Sequence, residues 1–466
     1  MSQLVHIHVG EAGRRAGVAT WGAYCADHCV GPSGEPPPAG DPSVLFDEVA
    51  APESRRLVPR ALFVCPGEAP GSGLFSPRRV IQSAPAWGPI DGTFASAYES
   101  GRPAAEAAAD QCRSMAEACD AFGGIVLTLA AGAGDSAGAA AACLEELELE
   151  CGRITTAAHA VLPGYRHPME AYNCVLTLAA LTDHADLVCL SDAAAATRVL
   201  ATALQDGASS SEPPCLASAD VDALLGCACA GLTAPLRFPT HSTRSSLSGG
   251  GGCVTLDALV GCLAPFPRLH YVTPALAPLA APQVMAYQSA TPQAVVGAAL
   301  RPGAALLTTP LASQPRTVAS VLMWRGSDAQ ADQVVAAARA AEAAGRTDAA
   351  VDWASGGPGV WAMPGAPPQQ VLWSRPPVSC SALTNSSRWG IHGVRDQLLA
   401  AFDAAWATKA FVAKYLGEGM EVAAFNAARS AAAQLADEYE AAAGDTLPPG
   451  AEDEGGGAPS EMGGGA

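Results

Sequence analysis

A short apolar strand, a turn of small residues and a helix occur in that order twice in this chain, and few folds accommodate the repeat. In the first copy, Leu4 to Val9 places Val5, Ile7 and Val9 on one face and His6 and His8 on the other, the period-two pattern of a strand. Gly10-Glu11-Ala12-Gly13 then reads as a turn, and Ala16 to Ala26 as a helix with Trp21 turned inward. In the second copy, Ile125-Val126-Leu127-Thr128-Leu129 leads into Gly132-Ala133-Gly134-Asp135-Ser136-Ala137-Gly138 and a helix over Ala139 to Glu150. Between them Pro103 to Cys119 is helical by composition, and Leu187-Val188-Cys189-Leu190 reads as a further buried strand. Parallel strands need helical crossovers, so this alternation predicts an α/β fold: a largely parallel sheet with helices on both faces. Small residues let a backbone approach an anion, and a helix N-terminus offers it N–H groups. Both turns are therefore candidate phosphate contacts.

Composition excludes several classes. At 466 residues the chain is long enough for two or three cored domains. It is 49% hydrophobic, yet no apolar run reaches the roughly 18–20 residues of a membrane span, and the start shows no basic-then-apolar leader. The net charge of −19 disfavours nucleic acid and anionic membrane as partners. The 15 cysteines are scattered, and the tight pairs Cys25/Cys29 and Cys227/Cys229 do not have zinc-knuckle spacing, so reduced cytosolic thiols are expected. A dinucleotide-dependent enzyme is disfavoured because the first turn lacks a G-x-G-x-x-G pattern.

The remainder divides by composition. Ser209 to Pro214 breaks the pattern, Val221 to Leu232 reads as an apolar central helix, and Thr240 to Gly252 is a Ser/Gly loop. Strands are expected at Leu269–Val272, Val318–Trp324 and Val378–Leu383, with a helix over Ala329–Ala344. Two long helices, Ile391 to Leu416 and Ala423 to Ala443, flank Tyr415-Leu416-Gly417-Glu418-Gly419-Met420-Glu421. The domains expected are 1–205 (nucleotide-binding), 206–382 (central helix and intermediate domain) and 383–443 (C-terminal helices), before an acidic, Gly-rich tail over 444–466 that should be disordered.

Three segments, in order and at their spacing, resemble the tubulin family: Val5–Gly13, Pro265-Phe266-Pro267-Arg268-Leu269-His270 and Tyr415–Glu421. Val58-Pro59-Arg60-Ala61, Glu170-Ala171-Tyr172-Asn173, Leu236-Arg237-Phe238, Trp324-Arg325-Gly326, Val351-Asp352-Trp353 and Asn385-Ser386-Ser387 extend the resemblance over about Leu4 to Ala443. Tyr24-Cys25 ahead of His28 and the long stretch from Pro367 to Asn385 resemble α-tubulins more than β-tubulins. The resemblance implies a Rossmann-like nucleotide-binding domain, a central helix, a smaller mixed α/β domain and a C-terminal helical hairpin. It also implies GTP with Mg²⁺ as cofactors, a β-tubulin-like subunit and other tubulin subunits as partners, motors or associated proteins on the C-terminal helices, and a cytoplasmic, cytoskeletal location.

Carried over residue by residue, the resemblance puts Gly10, Glu11, Ala12, Gly132, Ala133, Gly134, Asp135 and Ser136 at the phosphates, Glu170 at the ribose, Asp192 and Asp222 at the base, and Glu68 near the metal. The family usually carries glutamine where Glu11 stands and a threonine hydroxyl where Asp135 stands. A carboxylate at either place repels phosphate unless Mg²⁺ lies between. Two readings stay open for Glu11, Asp135, Asp192 and Asp222: a decayed site, or an altered, metal-dependent one. The family's catalytic acid falls on Ala258, with Asp257 beside it as the substitute, so little or no hydrolysis is expected. Two functions follow. One is a cytoskeletal subunit that pairs with a β-tubulin-like chain in microtubules and holds nucleotide structurally if at all. The other is a non-polymerising relative that binds tubulin or a chaperone and has lost nucleotide binding.

Overall fold

The computed structural model describes residues 2–38, 41–50, 55–67, 73–83, 92–205, 216–242, 252–280, 291–310, 315–326, 331–345, 347–353, 358–367, 369 and 376–444. Glu68, the break at Ser209–Pro214, most of the Ser/Gly loop and nearly all of the tail lie outside them.

The strands are β1 (Gln3–Val9), β2 (Phe46–Ala50), β3 (Arg55–Pro59), β4 (Ala61–Cys65), β5 (Val80–Gln82), β6 (Phe122–Ala130), β7 (Thr156–Leu162), β8 (Leu187–Asp192), β9 (His241–Ser242), β10 (Tyr271–Ala277), β11 (Arg316–Arg325), β12 (Ala349–Ala350), β13 (Gly359–Met363) and β14 (Ser379–Ser386). One sheet runs β5-β4-β1-β6-β7-β8-β10-β14-β11-β13-β9, with β12 beside β11, while β2 and β3 form a separate hairpin. From β5 to β10 every pairing is parallel, and β14 is antiparallel to both its neighbours. The first half is the expected parallel α/β sheet and the second half the expected mixed one.

The first helices are α1 (Gly10–His28), α2 (Phe94–Glu117), α3 (Ala137–Cys151), α4 (Pro168–His184), α5 (Ala193–Gln205) and α6 (Ser218–Leu232). The two faces of β1 serve different layers. Val5, Ile7 and Val9 pack with α2, α3 and α4, whereas Leu4 packs with Trp21 and Tyr24 of α1. His6 and His8 are fully buried core residues against Trp21, whose Nε1–H donates to His8 Nε2 at 3.1 Å. The helices after Ser387 cover the α4 side, where Phe402, Tyr415 and Phe425 ring Tyr172.

Four expectations differ from the structure. Gly10–Gly13 is the first turn of α1 itself, because Gly10 (φ +74°) reverses the chain at once. The helix expected from Pro103 begins at Phe94, where the Thr93 hydroxyl accepts from Ser96 N, and carries Pro103 inside it. Strand β10 starts two residues later than expected and runs on to Ala277. The first long C-terminal helix is divided into a π-wound segment Arg388–Leu399, Ala400–Ala407 and Val412–Gly417. Lys409 (φ 52°) and Phe411 (φ 59°), both left-handed, break it.

Candidate functional site

Because β1, β6, β7 and β8 are parallel, their C-terminal ends lie along one edge, and so do the loops that follow Val9, Ala130, Leu162 and Asp192. Ligands of open α/β sheets bind at that edge. The expected phosphate residues do meet there. Ser136 Oγ donates to Val9 O at 2.8 Å and accepts from Ala130 N at 2.9 Å, so this hydroxyl pins the end of β1 to the end of β6. Asp135 Oδ2 accepts the Glu11 N–H at 2.8 Å, which places a carboxylate on the N-terminus of α1. Asp135 is only 5% exposed, and its Oδ1 has no hydrogen-bond partner among the described residues. The Glu11 carboxylate is held by Arg14 in a bidentate pair (2.8 and 2.6 Å), and that hydrogen bond keeps its pKa below the usual carboxylate value.

The small residues of the second turn face protein. A Cβ on Gly134 would stand 2.1 Å from Gly92 O, and one on Gly132 would stand 2.5 Å from Pro163 Cβ. A Cβ on Gly10 would meet Ser136 Cβ at 2.6 Å. Ala133 is half-buried, its N–H on Ala130 O and its carbonyl accepting from Ser136 N and Ala137 N; Ala12 is half-buried in α1. Close approach is thus why glycine is needed, but the approaching groups are the chain's own: backbone at Gly134, the Pro163 ring at Gly132 and Ser136 at Gly10.

The other expected residues are diverted to local duties. Glu170 accepts from the N–H groups of Arg166 (2.8 Å) and His167 (3.5 Å) as part of the α4 capping box. Asp192 Oδ1 accepts from Ala195 N (2.6 Å) at the start of α5 and from Thr308 Oγ1 (3.2 Å), and its Oδ2 accepts the Thr308 N–H. Both of its oxygens are therefore engaged. Asp222, on α6, faces α1 through an ion pair with Arg15 at 3.4 Å; burial raises its pKa, which Arg15 partly offsets. Asp257 receives the Thr155 hydroxyl in the first turn of the helix Leu256–Leu263, whose Ala258 N–H is capped by Thr255 Oγ1 at 3.2 Å. Among the described residues no group of three or more His, Cys, Asp or Glu is placed to hold a metal.

One organiser was not singled out for the site from the sequence. Asn173, 1% exposed, donates to Gly92 O (3.3 Å) and Gly132 O (3.2 Å) and accepts from Phe94 N (2.8 Å) and the Tyr415 hydroxyl (2.7 Å). It joins the Gly132 turn and the entry to α2 to the C-terminal helices, and Glu418 adds a contact by accepting from the Thr93 hydroxyl. The available signal is an asparagine inside the otherwise apolar run from Ala171 to Leu176.

Comparison with known proteins agrees with this architecture. Residues 3–200 match the family model for the Tubulin/FtsZ family, GTPase domain. The chain is 27% identical over 461 residues to the tubulin alpha chain of Encephalitozoon cuniculi, covering 94% of this chain and 97% of that one. It is 27% identical over 464 residues to the tubulin alpha-3 chain of Zea mays (94% and 96% covered), and 27% over 470 residues to the tubulin alpha-1 chain of Pelvetia fastigiata (96% and 97%). The chain therefore carries a match to the Tubulin/FtsZ GTPase domain over most of its parallel sheet and is similar to α-tubulins over nearly its whole length.

Proposed function

We propose that this protein is a structural constituent of the cytoskeleton that pairs with a β-tubulin-like subunit and enters microtubules alongside other tubulin subunits. The observation that carries the reading is the extent of the similarity: it spans 94% of this chain and 97% of an α-tubulin, well beyond the GTPase domain. The packing of the C-terminal helices onto the site loops, through Tyr415 and Asn173, supports the same reading. A cytoplasmic, cytoskeletal location belongs with it, as do motors or associated proteins on the C-terminal helices. No helix of the described residues is long and apolar enough to cross a membrane. Any GTP and Mg²⁺ it carries are structural, and it contributes little or nothing to hydrolysis, because the family's catalytic acid falls on Ala258 and the Asp257 carboxylate is bonded to Thr155.

Co-sedimentation with microtubules assembled from purified tubulin tests this. The expected result is entry into the pellet and capture by β-tubulin in solution. A protein that stays in the supernatant and captures no β-tubulin sinks the proposal. The engagement of Asp135 and Asp192 by the chain's own groups favours a second reading, a non-polymerising relative that binds tubulin or a chaperone without nucleotide. Its signature is capture of tubulin or a chaperone without entry into the polymer.

A further inference from the structure

We propose that Asp135 is a built-in anion: its carboxylate occupies the phosphate seat at the N-terminus of α1, so the chain folds self-capped, without nucleotide. This deepens the assembly reading and rests on its view of the α1 N-terminus as the phosphate end of the site.

The geometry supports replacement over mere proximity. A 19-residue helix presents partial positive charge and unpaired N–H groups at its first turn, which attract an anion. Here the Glu11 N–H is already satisfied by Asp135 Oδ2 at 2.8 Å. A phosphate oxygen accepting the same N–H would need the same position. The second carboxylate oxygen, Oδ1, is buried without a hydrogen-bond partner among the described residues, so an incoming phosphate would meet a like charge in a weakly screened place.

The carboxylate also has no easy way out. On one side, Gly134 is pressed against the Gly92 backbone, which Asn173 ties to Gly132. On the other, Ser136 is bonded at once to Val9 O and Ala130 N. Moving the backbone of the turn to carry Asp135 away would unmake one of these, so the turn is held with Asp135 beside α1. The arrangement also accounts for a buried carboxylate that has no cation on it among the described residues: its partner is the helix end.

Nucleotide extracted from the full-length purified protein and resolved by anion exchange should be far below one per chain. Chelation of divalent cations followed by phosphatase treatment should leave the melting temperature unchanged. D135A, which vacates the seat, should melt several degrees lower and regain the loss as inorganic phosphate is added, while the wild type does not respond. Near-stoichiometric guanine nucleotide in the wild type overturns the proposal, and so does a folded D135A whose melting ignores phosphate. If D135A does not fold, the wild-type nucleotide content decides alone. Co-sedimentation reads assembly and extraction reads occupancy, so failure of one proposal is separable from failure of the other.

Discussion

Single side chains decide whether this edge of the sheet is a site or a seam. Asn173 makes four hydrogen bonds while buried, and each group it serves is a backbone or hydroxyl group that cannot reach water. Leaving a buried polar group unpaired costs about 1–3 kcal/mol, so Asn173→Ala should lower stability by about 3 kcal/mol or more. Urea denaturation measures this, and a loss below about 1 kcal/mol would mean that Asn173 is not the organiser described. The residue types at the site were legible from the sequence: glycines where backbones approach, acids at Glu11, Asp135, Asp192 and Asp222. Their partners were not. Glu11 meets Arg14 three residues away, within reach of sequence reasoning, but Asp135 meets a backbone N–H 124 residues distant. No local pattern encodes that pairing.

Between elements, a buried ionic knot joins α1, the short helix Ala234–Arg237 that follows α6, and β11. Asp27 accepts from Arg237 at 2.9 Å and from Arg325 at 3.0 and 2.8 Å, and neither arginine is exposed. Burial raises the Asp27 pKa, but the two guanidiniums outweigh it and hold the carboxyl below its usual range. Phe238 lies under both cations, each guanidinium carbon 5.0 Å from its ring centre. Removing one partner of such a network strands the remaining charge in the interior, which costs about 3–5 kcal/mol. Asp27→Asn should therefore destabilise by that order in chemical denaturation, and the fold should lose the coupling between its parallel and mixed sheet halves. Hydrogen exchange would show this as earlier opening of β11. The sequence placed β11 and α6 nearly correctly, since both are long apolar runs with clear breakers. It missed the break at Lys409–Phe411, where two non-glycine residues adopt left-handed backbone without any glycine or proline to announce it.

For the molecule as a whole, buried histidines set the response to acid. Burial, chiefly, pushes the pKa of His8 and His28 down to about 3 and of His159 and His270 to about 4, and lowers His6 well below its ordinary value. In the unfolded chain each binds a proton at about pH 6.5, so below that pH the unfolded state takes up protons that the folded state refuses. The stability these neutral histidines confer is present above about pH 6.5 and is lost as pH falls toward the folded values. Each contributes on the order of 1.4 kcal/mol per pH unit once the pH is well below 6.5. Thermal melting between pH 7 and pH 5 should show a steep fall, smaller in His159→Gln. A flat profile would mean that the histidines are hydrated and titrate normally.

By itself the sequence determined the fold class, the order of most strands and helices and the likeness to tubulins, because period-two strands, glycine turns and apolar helices are local patterns that survive at 27% identity. Only the tertiary structure decided what the glycine turns touch. Whether a buried carboxylate faces a ligand, a cation or a helix end depends on which distant backbone group lies within 3 Å, and that distance is set when the sheet closes and the helices pack. Here closure brought the start of α1 onto Asp135 and the Gly92 backbone onto Gly134, and so turned a sequence that reads as a phosphate cradle into one whose hydrogen bonds are largely satisfied from within.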